Sequence, residues 1–224
     1  MSSRLVLIFV VGVATVLFVA IGVRAIRRAG RRKGARTSAA EMEAGRLGFA
    51  YTARGDKAFR ERFAHLPEVP RGATIKHVME GHLDGRPAIL FEATYVVSTG
   101  QAVVPIAHTI YTIETPAWPT THIKPRNLFG RLAVKLGRQP RLAMENPVFN
   151  LKVKVKTDDD DFAIALLSPQ MQEFMLSKTS VWWRIVGSRV CLIYSGTLKS
   201  YRMESSLQRM RRFWELTAPE LEQW

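Results

Sequence analysis

Residues 5–23, LVLIFVVGVATVLFVAIGV, run for nineteen positions without a charge. As a helix at ~1.5 Å per residue this stretch is roughly 28 Å long, close to the ~30 Å hydrocarbon core of a bilayer. A helix lying on a globular core keeps one polar face, and this one has none. A cleavable signal peptide fits poorly. The run exceeds an ordinary h-region of about 7–15 residues, and RAIRRAGRRKGAR follows it without a small-residue cleavage site free of arginine. The chain is therefore predicted to carry a single transmembrane anchor within residues 1–26.

The charges around the anchor set its direction. Arg24, Arg27, Arg28, Arg31, Arg32, Lys33 and Arg36 follow it, against Arg4 and the amino terminus before it. Positive residues stay on the cytoplasmic side, so everything after the anchor is expected in the cytoplasm, at the inner (plasma) membrane. The first 36 residues carry eight cations and no acid, and the other 188 carry 25 − 19 = +6. The seven cations are candidates for contact with anionic lipid head groups, each worth up to ~1 kcal/mol near a charged leaflet. Nucleic acid is the less favoured partner, because no aromatic residue lies between positions 24 and 48 to stack on bases. A lone cysteine, Cys191, excludes an intrachain disulfide and agrees with a reducing compartment.

Beyond a basic juxtamembrane linker, residues 27–40, the pattern is that of one α+β domain over residues 41–224. Ser38 and Glu41 have capping-box spacing, which predicts a helix start there, carrying Met42 and Leu47 and extending toward Phe49 and Tyr51. DKAFRERF reads as a short helix capped by Asp56, with Phe59 and Phe63 on one face. Asp84-Gly85 predicts a hairpin between two strand-like runs. AVVPIAHTIYTIET is a third strand, in which Pro105 suits an edge or bulge, and THIKP is a short fourth. Residues 127–137 read as a helix with Asn127 as cap and Gly137 as stop. FNLKVKVKT alternates and predicts a half-buried strand over 149–157, with Lys152, Lys154 and Lys156 on a solvated face. A second hairpin is expected at Gly187-Ser188, then a closing helix burying Leu207, Met210, Phe213 and Trp214. The hairpins favour a mostly antiparallel sheet with packed helices.

Few residues offer chemistry. Asp158–Asp161 lack the alternating acids, central glycine and distal glutamate of a calcium loop, and they precede FAIALLSPQMQEFML; they read as a helix start, with Ser168-Pro169 restarting the helix. In a strand Glu80, His82 and Asp84 would share a face while His77 points away, the weak outline of a metal-dependent hydrolase. His65, His108 and His122 stand apart with no motif around them. Cys191 sits in an apolar run as a core residue. Trp182 and Trp183 must face opposite ways, so at most one belongs to any surface. There is no G-x-S-x-G, P-loop or G-x-G-x-x-G, so neither a catalytic residue nor a cofactor is predicted.

LGFAYTARGDKAFRERF, HVMEGHLDGRPAILFEATY and NPVFNLKVKVKTDDDDFAIALLSPQMQEFML together resemble a family of uncharacterised bacterial proteins. Its members place a domain of unknown function behind one or two amino-terminal membrane spans. The resemblance covers most of residues 47–176 and carries no catalytic motif. The reading is a single-pass membrane protein whose cytoplasmic domain acts by binding, as an adaptor for another protein. The alternatives are a hydrolase built on His77–Asp84 and a lipid- or nucleic-acid-binding domain.

Overall fold

The computed structural model describes residues 34–137, 140–178 and 180–224. The predicted anchor and Arg24, Arg27, Arg28, Arg31, Arg32 and Lys33 lie outside these residues; Arg36 lies inside them. Among the described residues no helix is long and apolar enough to cross a membrane.

Helix α1 spans residues 34–46, so the chain is already helical before the predicted cap at Ser38, and the second half of the segment read as linker belongs to the folded domain. Ala40 and Ala44 are buried, and these small side chains let α1 lie close against the core. Gly48, at φ +77, ends the helix by turning the chain in a region that disfavours side chains. Phe49 and Tyr51 therefore leave the helix; Tyr51 lies in strand β1 (Ala50–Arg54), which the sequence pattern did not announce. Arg36 was grouped with the lipid-facing cations. Here its Nη2 instead donates to Glu92 Oε2 at 2.6 Å, and the same oxygen accepts from the backbone of Leu198 at 2.8 Å. Glu92 is almost wholly buried, and a carboxylate in that setting requires a cationic partner.

Helix α2 (Lys57–Arg62) begins where Asp56 accepts from the Phe59 N–H at 2.7 Å. Strands β2 (Thr74–Leu83) and β3 (Arg86–Ser98) meet at the expected turn, with Asp84 at φ +50 and Gly85 at φ +80. Two positive-φ residues form the primed turn whose twist matches a hairpin. Strand β4 (Val103–Glu114) pairs β3 along its length but pairs its other neighbour only from His108 onward, so Pro105 sits on an open edge. Strand β5 (Thr121–Pro125) leads to α3 (Leu128–Lys135), which Asn127 caps through the Gly130 N–H.

One predicted strand is shortened. Residues 147–152 form helix α4 (Pro147–Lys152), and strand β6 is confined to Val153–Thr157. Asn146 accepts from the N–H groups of Val148 and Phe149, and Pro147 occupies the first turn. This cap-and-proline start outweighs the alternation of Phe149 and Leu151. Helices α5 (Asp160–Leu166) and α6 (Pro169–Leu176) follow, then β7 (Trp182–Val186), β8 (Arg189–Ser195) and the long helix α7 (Met203–Glu215).

The eight strands form one antiparallel sheet in the order β1-β2-β3-β4-β8-β7-β5-β6. One face carries Met79, Leu90, Tyr111, Leu192 and Trp183, covered by α1, α5, α6 and α7. On it Phe213 stacks on Trp183 with ring centroids 4.7 Å apart, and Trp214 lies parallel to Trp118. The opposite face carries Ile75, Phe91, Ile110 and Ile193, and its cover is smaller: Phe59, Phe63, Leu66 and Val69, from α2 and the loop after it. That cover shields the middle of the sheet and leaves the end formed by β7, β5 and β6 open on this side.

Candidate functional site

The open end of the second face is where unlike groups converge. Register pairs His122 with both Arg184 and Lys156, and Lys124 with Lys154. Residues directly opposite in an antiparallel ladder project to the same face. Three strands thus set Trp182, Arg184, His122, Lys124, Lys154 and Lys156 side by side, and Glu68 reaches in from the loop after α2.

A cavity of about 490 Å³ opens among Glu68, Tyr95, His108, His122, Lys156 and Arg184. Its floor is an ion pair: Arg184 Nη2 donates to Glu68 Oε1 at 2.7 Å, with the side chains 13% and 6% exposed. Arg184 Nη1 lies 2.7 Å from His122 Nε2. The same Nη1 lies 3.0 Å from Nδ1, and because a guanidinium has only donors, one of the two imidazole nitrogens must accept and the ring is neutral. Consistently, burial first and the Arg184 charge second hold the His122 pKa below its ordinary value. His108 Nε2 lies 3.3 Å from the Tyr95 hydroxyl, and its ring rests against Trp182 at 5.4 Å. Burial lowers the His108 pKa as well, opposed by the charge of Glu68. Three buried polar atoms here, Glu68 Oε2, His108 Nδ1 and Arg184 Nε, have no hydrogen-bond partner among the described residues, and such atoms ordinarily meet a ligand or water.

The cavity shares Lys124 and Trp182 with a second, wider groove of about 690 Å³. It runs between α3 and the edge strands, and Arg126, Arg141 and Lys154 add to its lining, which contains no acid. The whole surface is a basic trough with an aromatic at its centre. It suits an anionic group better than a metal ion or a neutral substrate.

The residues singled out in the sequence are distributed differently. Asp159 caps α5, its side chain accepting from the Phe162 N–H at 2.9 Å, while Asp160 and Asp161 lie in the first turn. Ser168 caps α6 through the Met171 N–H. The run is a corner between β6 and α5, as its spacing suggested. The group from His77 to Asp84 is dispersed. His77 sits at a bulge in β2 with φ +50 and lies 2.9 Å from the Tyr51 hydroxyl. Glu80 pairs with Arg62, and Asp84 is held by both Nε and Nη2 of Arg211 on α7. Among the described residues no group of three or more His, Cys, Asp or Glu could hold a metal ion. Cys191 is fully buried, and burial pushes its thiol up to about 12. Trp183 is in the core while Trp182 faces the trough, as alternation required.

Two signals for the trough were present but diffuse. His108, His122 and Arg184 are far apart in the chain and meet only because β8 and β7 separate β4 from β5 in the sheet. The other signal is charge. Between Glu114 and Glu145 lie six cations, Lys124, Arg126, Arg131, Lys135, Arg138 and Arg141, and no acid. The +6 after position 36 is therefore not spread evenly; this one segment accounts for all of it.

No family model and no curated protein sequence matches the chain. Among solved structures it is similar to the crystal structure of the mycobacterial trehalose monomycolate transport factor A, TtfA, with a TM-score of 0.55 and 14% identity. The match covers 80% of this chain and 93% of that one, a likeness of fold.

Proposed function

We propose that this protein is a membrane-anchored adaptor: residues 5–23 hold it at the plasma membrane, and the cytoplasmic domain binds an acidic segment of a protein partner in the trough. The observation that carries this reading is the convergence of Arg184, Lys124, Lys154 and Lys156 on an uncovered sheet face beside Trp182, with buried polar atoms left unpaired. A flat array of cations with one aromatic recognises carboxylates or phosphates and positions no nucleophile. The resemblance of residues 47–176 to bacterial membrane-anchored proteins supports the membrane placement alone.

The test is site-specific photo-crosslinking of the full chain in native membranes. A photoreactive residue replacing Lys156 is expected to give a discrete protein adduct. One replacing Gln208, exposed on α7, should give none. The adduct should disappear when Lys124 and Lys154 are changed to Glu. Absence of adducts at 124, 154 and 156 alike, or adducts indifferent to the charge reversals, would reject the trough as the binding face.

A further inference from the structure

Helix α3 is amphipathic, yet its apolar side is turned away from the domain. Leu128 is 77%, Phe129 80%, Leu132 52% and Leu136, the residue that closes the helix, 78% exposed. Spacings of three and four place them on one stripe. None of the described residues of α3 is buried. Gly130, Ala133 and Val134, on the other side, line the groove toward the sheet, so smaller residues face the protein and larger ones face out. Ordinary surface helices show the reverse, because the large apolar side chains are what holds a helix to its domain.

The surroundings of the stripe decide what covers it. Arg131 and Lys135 lie one turn apart on α3, Arg126 and Lys124 precede it, and Arg141 and Lys154 flank the groove beneath. No acid occurs from residue 115 to residue 144. A helix with bulky apolar residues on one side, cations along its borders and no acid has the composition of a segment lying in the plane of an anionic membrane surface. An apolar face on a protein partner would match the stripe but leave Arg131 and Lys135, the cations of α3 itself, without counter-charges. A second copy would set the cations against one another.

We infer that α3 is an in-plane membrane-docking helix: Leu128, Phe129, Leu132 and Leu136 insert among the head groups and upper acyl chains of anionic lipid, while Arg131 and Lys135 engage the phosphates. The contact is separate from the adaptor reading, which concerns the trough, and it needs no protein partner. It orients the domain on the bilayer, in addition to any contact made by the seven cations that follow the predicted anchor.

The full chain is tested in vesicles of phosphatidylcholine with or without phosphatidylglycerol. Cys191 is buried and its thiol is held protonated, so a cysteine introduced by Leu132→Cys is the one that accepts an environment-sensitive fluorophore. The expected result in phosphatidylglycerol vesicles is a blue-shifted emission and a several-fold drop in quenching by aqueous iodide. A label introduced by Ser205→Cys, at an exposed position of α7, should stay fully quenched. Changing Arg131 and Lys135 to Gln should return the label at 132 toward water. Because α3 contributes nothing to the core, these variants should keep the unmodified protein's circular dichroism and melting curve. A label at 132 that stays water-accessible in every vesicle overturns the inference. So does protection equal in uncharged vesicles, and so does protection that follows the protein-to-lipid ratio, which would mark a second copy of the chain. Each outcome is read without a protein partner, so it leaves the crosslinking test of the trough independent.

Discussion

Arg184 and Glu68 form the most consequential side-chain pair in the domain, because both are withdrawn from water and each is the other's counter-charge. Arg184→Met removes the cation and strands a buried carboxylate. The expected loss is about 3 kcal/mol, the low end for a buried pair, since the guanidinium keeps slight contact with solvent. Glu68→Gln added to Arg184→Met should recover much of the loss, and chemical denaturation of the two variants checks it. No recovery would place the cost in lost packing instead. The same cavity predicts acid sensitivity. His108 and His122 have pKa values below the ordinary 6.5, so between the folded and unfolded values the unfolded chain binds more protons. Their contribution is fully present above 6.5 and is lost as pH falls through the lowered folded values. The melting temperature should therefore drop on acidification through this window. The double variant His108→Gln, His122→Gln should flatten that drop; an unchanged slope would assign it to other groups. None of this was legible beforehand. His108 and His122 carried no local motif, and their meeting depends on strand order, which periodicity does not encode.

At the scale of elements, local chemistry was readable wherever a backbone group demanded a specific side chain. Asp56, Asn127, Asp159 and Ser168 each cap the helix their spacing announced, and Asp84-Gly85 makes the expected turn. The aspartate run illustrates how unequal neighbouring residues are. Asp159 accepts the Phe162 N–H, whereas Asp158 is exposed ahead of the helix. Asp159→Ala should destabilise the domain by ~1 kcal/mol, and Asp158→Ala by little. Equal effects, measured by thermal or urea unfolding, would contradict the capping geometry. The misreadings have the same local origin. Alternation over 149–157 resembled one strand, but Asn146 and Pro147 start a helix that consumes its first half. Strand β1 was hidden because Phe49 and Tyr51 also fit a helical spacing, and the turn at Gly48 decides between the two. Helix α3 was located correctly; its outward-facing apolar side was not, because a sequence stripe shows amphipathicity without showing which way the helix is mounted.

For the whole molecule, the proposed membrane anchoring makes the arrangement of charge decide how the domain would stand relative to the bilayer. The chain has two acid-free basic stretches, one before Glu41 and one between Glu114 and Glu145. The first is contiguous with the uncharged run of residues 5–23, and the second includes α3 and half the trough. Arg36 ties the end of the first stretch to the domain: it pairs with Glu92 on β3, which fixes α1 to the sheet. If residues 5–23 span the membrane as proposed and both stretches meet the same leaflet, α3 and the trough face that leaflet, and the retention of cations makes the cytoplasmic side the expected one. The prediction is that a carboxyl-terminal alkaline phosphatase fusion, active only after export, is silent, while a carboxyl-terminal green fluorescent protein fusion glows. Changing Arg24, Arg27, Arg28, Arg31, Arg32 and Lys33 to Gln should weaken the bias and raise phosphatase activity, because these residues lie within reach of the anchor end where orientation is decided. Changing Arg126, Arg131 and Lys135 should leave the topology as it is, since cations so far along the chain act after the anchor has been oriented. A phosphatase-active fusion of the unmodified chain would put the domain outside the cytoplasm and reverse the assignment.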